Sequence, residues 1–248
     1  MISIILSKKI TTRFYDDIAA EYDALKSSGV SIAHKYLLIP NLLRVLPDVN
    51  GKRVIDLGCG TGIISSLLVK KGAEVTGIDI SKNMIKIAKT RVKGARFLVG
   101  DIENMDLPSG YFDIGVCVLT MDYISDMKRV LREINRVLKK SGTLILIVRN
   151  PFVSSTKPID SRHKHVRKFY YYFKEYKIRY AWDEFHNNLV DYEIHRPMEN
   201  FTKQFVSNGF IISYYFDLKP INQKNKNRKW IDYNLRVPKF SGFKLVKS

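Results

Sequence analysis

The chain has 248 residues, 45% of them hydrophobic and 27% charged, with a formal net charge of +18. That length suits one α/β domain with an insertion, and no apolar run approaches the length needed to span a bilayer, so a membrane-spanning class is set aside and the chain is expected to stay in solution. The positive excess is +8 over residues 1–150 (23 basic against 15 acidic) and +10 over residues 151–248 (19 against 9). Spread in this way it reads as lysine-rich solvated faces, with a nucleic-acid partner or an acidic substrate as the alternatives. Residues 1–6 are apolar, but they are too short for a signal-peptide core and run into Lys8-Lys9. The two cysteines, Cys59 and Cys117, fall in expected sheet or loop positions and read as unpaired thiols of a reducing, cytoplasmic compartment.

In chain order, Phe14, Ile18 and Tyr22 repeat every four residues and predict a helix over 11–25. A second helix is expected over 34–46, buried through Leu37, Leu38, Leu42 and Val45 and stopped by Pro47. An apolar strand then runs through Val54 and Ile55 into Asp56-Leu57-Gly58-Cys59-Gly60-Thr61-Gly62. Glycine at alternate positions lets a backbone approach its ligand closely, and Asp79, at the end of the next strand, stands at about the spacing expected of an acid that grips a ribose. The pattern is not the G-x-G-x-x-G of a pyrophosphate site. An anion at Asp56 suits a ligand that carries positive charge.

The alternation continues with a helix along Ile63, Ile64, Leu67 and Leu68 that ends at Lys70-Lys71-Gly72. A strand over 75–80 follows, then a helix capped by Ser81, and a strand over 96–99 leading into Gly100-Asp101-Ile102. The strand over 112–119 ends at Leu119, with a polar exit Thr120-Met121-Asp122-Tyr123. Ligands of open α/β sheets bind beyond the carboxyl ends of the strands, so Leu119 is counted with the ligand-binding residues. A helix over 126–140 stops at Ser141-Gly142 before a strand over 143–148. Residues 150–197 break the pattern with Tyr170-Tyr171-Tyr172-Phe173, Tyr176, Tyr180, Trp182 and Phe185 among basic residues, which reads as an inserted aromatic cap. His163-x-His165 has no accompanying cluster with ligand spacing, so no metal is assigned. A helix over 198–207 halted by Gly209, a strand over 210–216, a basic surface loop around 219–229 and a last strand over 240–246 complete the chain.

The segment from Asp56 to Gly62 resembles the S-adenosylmethionine loop of class I methyltransferases, matching D/E-x-G-x-G-x-G at every position, in the manner of the small-molecule enzymes of the type 11 group. Another nucleotide on a Rossmann-like turn is the alternative. The resemblance implies a doubly wound, mostly parallel seven-stranded sheet with its last strand antiparallel between the fifth and sixth. It implies S-adenosylmethionine as cofactor, its methionine part cradled by Asp56, Gly58, Cys59, Gly60 and Gly62. Asp79 would take the ribose, Ile80 would cover one adenine face, Asp101 would accept from the adenine amino group and Ile102 would pack on the ring. Tyr15 and Tyr22 lie in an F-Y-D-x-x-A-x-x-Y-D segment that would form a lid.

The resulting division is one domain: lid helices over 1–50, a cofactor core over 51–149, a substrate cap over 150–197, and the C-terminal helix and last strands over 198–248. The expected function is methyl transfer to an oxygen, nitrogen or carbon of a small, aromatic or amphiphilic acceptor. The rivals are an RNA or DNA methyltransferase and a non-catalytic cofactor-binding subunit. His195, in Ile194-His195-Arg196-Pro197, is the candidate general base, since histidine titrates near neutrality and Pro197 suits the first turn of the helix that follows. The competing reading is a junction histidine that only caps or packs.

Overall fold

The computed structural model describes residues 8–27, 33–159, 166–181, 190–221 and 228–248. His163, His165, Trp182 and Phe185 lie outside the described residues. Seven strands form the central sheet: β1 (Arg53–Leu57), β2 (Glu74–Asp79), β3 (Arg96–Val99), β4 (Phe112–Val118), β5 (Leu138–Arg149), β10 (Phe210–Asp217) and β11 (Phe240–Lys247), in the order β10-β11-β5-β4-β1-β2-β3. Pairings from β3 across to β5 are parallel, while β11 runs antiparallel to both β5 and β10.

Strand alternation divides the apolar residues into two cores. On one face Ile55, Leu57, Leu144, Leu146 and Val148 pack with Val130, Leu131 and Ile134 of α5 (Met127–Val137) and Phe201 and Phe205 of α7 (Met198–Ser207). On the other, Val54, Val75, Val116, Ile145 and Ile147 meet Leu42 of α2 (Ile39–Val45) and Ile64 and Leu68 of α3 (Ile63–Lys70). A strand covered on both faces needs a nearly continuous apolar run, which is what β5 supplies from Leu144 to Val148. Each of these side chains contributes about 1.5–3 kcal/mol when fully buried. The helix ahead of β1 is not one regular cylinder. A π-turn over His34–Leu38 precedes α2, and Pro40 sits in the first turn of α2. Proline lacks an N–H and its ring crowds the carbonyl one turn back, so the wider turn takes up a strain that an α-helix would meet as a kink.

Three boundaries differ from the sequence expectation. α5 ends at Val137, because Phe112 pairs with Leu138 and Ile114 with Thr143, so residues 139–142 bulge out of β5, with Ser141 in the left-handed region at φ 60°. Part of the expected loop at 219–229 instead enters a helix, α8 (Arg228–Arg236), while residues 222–227 lie outside the described residues. After β5 comes a single turn, α6 (Pro151–Ser154), whose free N–H groups at Phe152 and Val153 donate to the Asn150 side chain.

The insertion holds two small antiparallel pairs, β6 (Thr156–Pro158) with β7 (Arg167–Phe169) and β8 (Tyr176–Ala181) with β9 (Val190–His195). At the other end of the chain, α1 (Lys8–Ser27) packs Ile18 and Ala19 against Met84 of α4 (Lys82–Arg91). Asp16 accepts hydrogen bonds from Ser81 Oγ at 2.6 Å and Asn83 N at 3.1 Å, and Asp23 pairs with Arg91. These contacts lay α1 across the carboxyl end of the sheet.

Candidate active site

The carboxyl ends of β1, β2, β3 and β4, roofed by α1 and flanked by the insertion, enclose a cavity of about 500 Å³. That is a volume suited to a small-molecule site. Of the residues expected to bind the cofactor, Tyr15, Tyr22, Gly58, Gly60, Asp79, Ile80, Asp101, Ile102 and Leu119 line it. Gly58 has φ 69°, and a Cβ there would stand 2.2 Å from Thr120 Oγ1, so the turn after β1 and the exit of β4 can meet only through glycine. Gly60, at φ 52°, has nothing within 4 Å of where its Cβ would be. The missing side chain leaves room on the cavity wall.

Asp79 is held by Gly60 N–H at 2.8 Å to one oxygen and Ser81 N–H at 2.9 Å to the other. Its carboxyl is nevertheless pushed up, because burial outweighs those bonds. A carboxylate has about four lone-pair sites, so these backbone bonds leave room for a hydroxyl donor. Asp101 accepts from Glu103 N at 2.9 Å, and the ammonium of Lys8 lies 2.6 Å from both Asp101 and Glu103. An adenine amino group reaching Asp101 therefore shares that carboxylate with a lysine from α1. Leu119 keeps φ 58° through its N–H bond to Ile147 O at 2.8 Å. Tyr15 meets Tyr123 edge to face, with centroids 5.6 Å apart, which joins the roof to the β4 exit.

Three expected residues stand behind the wall rather than on it. Asp56 shares a strand face with Val54, so its carboxylate turns under α3 and accepts from Ser65 Oγ at 2.6 Å. Burial pushes its pKa up to about 7, with Asp79 adding to the effect and Ser65 opposing it. Cys59 packs with Ile85, Ala88 and Phe97, and burial raises its thiol far from the thiolate range that nucleophilic chemistry needs. Gly62 is the cap of α3 and sits against Ala88 of α4.

His195 also lies away from the cavity. Only 1% exposed, it is bonded through both ring nitrogens, Nε2 to the carbonyl of Tyr172 at 2.8 Å and Nδ1 to Ser154 Oγ at 2.6 Å. A carbonyl can only accept, so Nε2 carries the proton and Nδ1 accepts from the serine, which leaves no lone pair to receive a substrate proton. Burial also lowers its pKa. The expectation of a general base is not met by this geometry. Its neighbour Arg196, also buried, donates to the carbonyls of Met121 and Ile124 and so fixes the turn after β4.

The cap side of the cavity holds residues that spacing alone did not single out. Asp122, Arg149, Val153, Arg167, Glu193, Tyr233, Lys239 and Phe240 line it, whereas the Tyr170–Phe173 run does not. Phe173 is 86% exposed. Glu193 pairs with Arg149 through both carboxylate oxygens, and the backbone N–H of Arg149 donates to Asp122 at 3.0 Å. Burial first, and the charge of Glu193 second, raise the Asp122 carboxyl well above the usual carboxylate range. The only warning in the sequence was the polar exit after β4. The other cap residues are brought together by a hairpin and by α8, which have no local motif.

The fold and the cavity together define a doubly wound nucleoside-cofactor protein. Residues 55–146 match the family described as "Methyltransferase domain". Over 146 residues the chain is 36% identical to the demethylmenaquinone methyltransferase of Thermotoga maritima, covering 57% of this chain and 62% of that one. Over 100 residues it is 33% identical to the ubiquinone biosynthesis O-methyltransferase of Coxiella burnetii, covering 39% and 43%. The chain thus spans less than two thirds of the length of these two curated relatives. A solved S-adenosylmethionine dependent methyltransferase from Mesorhizobium loti superimposes with a TM-score of 0.71 at 23% identity, over 84% of this chain and 96% of that one. Over residues 55–146 the chain is similar to that methyltransferase family, and its fold is that of the solved S-adenosylmethionine dependent methyltransferase. S-adenosylmethionine fits the residues present: Gly60, with open space where a Cβ would stand, and the buried carboxylate of Asp79 both line the cavity.

Proposed function

We propose that this chain methylates an oxygen, nitrogen or carbon of a small, aromatic or amphiphilic acceptor. One observation carries the reading. A single cavity joins the residues suited to the cofactor, Gly58, Asp79 and Asp101, to cap residues Val153, Glu193 and Tyr233, so cofactor and acceptor share an enclosed space. S-adenosylmethionine supplies an activated methyl group on a sulfonium when bound. What the chain adds is alignment and dryness, since holding two reactants in line can account for much of the barrier lowering. Tyr15 and Tyr123 close the roof against water, and Arg196 fixes the β4 exit turn beside the acceptor space.

Where the acceptor must lose a proton, the reading assigns it to Asp122 in place of His195. A carboxylate raised toward neutrality by burial is a stronger base than an ordinary one, and Asp122 lies on the cavity wall. The two curated relatives named above act, by their names, on demethylmenaquinone and in ubiquinone biosynthesis, which supports an aromatic acceptor. A second reading, RNA as the acceptor, is favoured by exposed Tyr171 and Phe173 with the Lys174 ammonium 5.5 Å from the Tyr171 ring centroid, since aromatic faces among cations suit single strands. Among the described residues no helix is long and apolar enough to cross a membrane. A cytoplasmic location belongs to the proposal.

The test is incubation with cofactor labelled on its methyl group, together with a metabolite extract or total RNA. Label in a small organic molecule is the expected outcome. Label confined to RNA would replace the first reading by the second, and label in neither, from a protein that binds the cofactor, would leave a binding module.

A further inference from the structure

We propose that the cap end of the cavity is an anion subsite, in which Arg167 and Tyr233 hold a carboxylate or phosphate group carried by the acceptor. The inference rests on the methyl-transfer reading and narrows its substrate class. Of the other charges on the cavity wall, Asp79 is held by backbone N–H groups and the following are matched by opposite charges. Asp101 and Glu103 share Lys8, Glu193 is paired with Arg149, and Asp122 lies against the Arg149 backbone with Arg149 and Arg196 drawing its charge. Arg167 differs. Its guanidinium donates to Thr156 Oγ1, to the Thr156 carbonyl at 2.9 Å and to the Tyr233 hydroxyl at 3.2 Å, and it has no carboxylate partner among the described residues.

Those three neutral partners hold the head group still without discharging it. A guanidinium carries five N–H donors, so two remain. The Tyr233 hydroxyl accepts from Arg167 and keeps its own proton to donate. Lys239 Nζ lies 5.4 Å from the centroid of the same tyrosine ring, which sets a second cation beside the first. Because the β6–β7 pair has already ordered Arg167, little side-chain entropy remains to be lost on binding. Phe240 and Val153 flank the cluster, so the ligand that matches it is an acid on an apolar or aromatic body.

Calorimetry on the full chain saturated with S-adenosylhomocysteine, the demethylated cofactor, tests this with three probes of similar size: benzoate, phenyl phosphate and benzamide. At least one anion is expected to bind about tenfold or more tighter than the amide, as a charge-assisted hydrogen bond implies. Arg167→Gln should bring that anion down to the level of the amide, Arg167→Lys should keep part of the preference, and S-adenosylhomocysteine affinity should be unchanged in both. Which anion wins distinguishes a carboxylate from a phosphate. Equal binding of the anions and benzamide by the wild type would overturn the proposal. So would an anion preference that survives in a folded Arg167→Gln protein. Failure of the wild type to bind S-adenosylhomocysteine at all would instead strike at the cofactor reading on which the subsite depends.

Discussion

Both oxygens of Asp79 accept backbone N–H bonds, and burial still raises its pKa, so the carboxylate is held in an unfavourable charged state where a ribose would gain most from it. Asp79→Ala is expected to weaken S-adenosylhomocysteine binding about ten- to a hundredfold by calorimetry, the worth of one hydrogen-bonded charge. Asp56 makes a different prediction. Its folded pKa of about 7 lies above the ordinary value of about 4, so between those values the folded protein keeps a proton that the unfolded chain has released. Stability therefore falls as pH rises from about 4 to 7, and the loss persists above 7. Asp56→Asn should remove that loss while still accepting from Ser65, raising the melting temperature at pH 8, by up to about 4 kcal/mol of stability, and leaving it nearly unchanged at pH 4. For His195, bonded on both sides and buried, His195→Ala should lower stability by about 1–3 kcal/mol while the folded fraction turns over close to the wild-type rate. A fall in turnover of a hundredfold or more without loss of stability would restore it as the base. The sequence showed which residues sit in the glycine turn because that information is local, in spacing. It did not show which way Asp56 and His195 point, since a helix serine and a distant carbonyl decide that.

At the scale of elements, strands and core helices were legible where periodicity and burial agree, as along β5, where the run from Leu144 to Val148 has no polar interruption. α8 was hidden because asparagine and lysine around it read as a loop, and because its burial comes from tertiary contact, with Ile231 and Asn234 both buried. The bulge after α5 was hidden for a related reason: Leu138 continues the helical spacing but pairs with Phe112, and strand pairing wins. Lys8 ties α1 to Asp101 and Glu103, and the lid role proposed for the first helix would act through that tie. Lys8 and Asp101 are partly exposed and only Glu103 is buried, so the stabilising worth of these ion pairs is modest. Their effect is expected in the kinetics of opening. Lys8→Ala should speed hydrogen exchange at the start of α1 and raise the dissociation rate of S-adenosylhomocysteine in stopped flow, with little change in melting temperature. An unchanged dissociation rate would separate α1 from the gate.

For the molecule as a whole, the most informative feature is the place of β11. It lies between β5 and β10, and among the described residues it is the one strand that links β10 to the rest of the sheet, Leu146 pairing with Phe243 and Phe243 with Tyr215. On a ribosome the strands arrive in another order. When residues 210–217 leave the exit tunnel, the neighbour they need has not been made, so β10 and the helix ahead of it must wait with apolar side chains uncovered, the condition in which nascent chains bind chaperones or aggregate. A chain released after residue 238 should reproduce that stalled state. Limited proteolysis is expected to cut it first within residues 198–217 and more slowly in β1 to β4, and a separately supplied peptide of residues 239–248 should slow the cutting. Synthesis thus leaves the place next to the β10 edge of the sheet to be filled by residues 239–248, after the strands on both sides of it have been made.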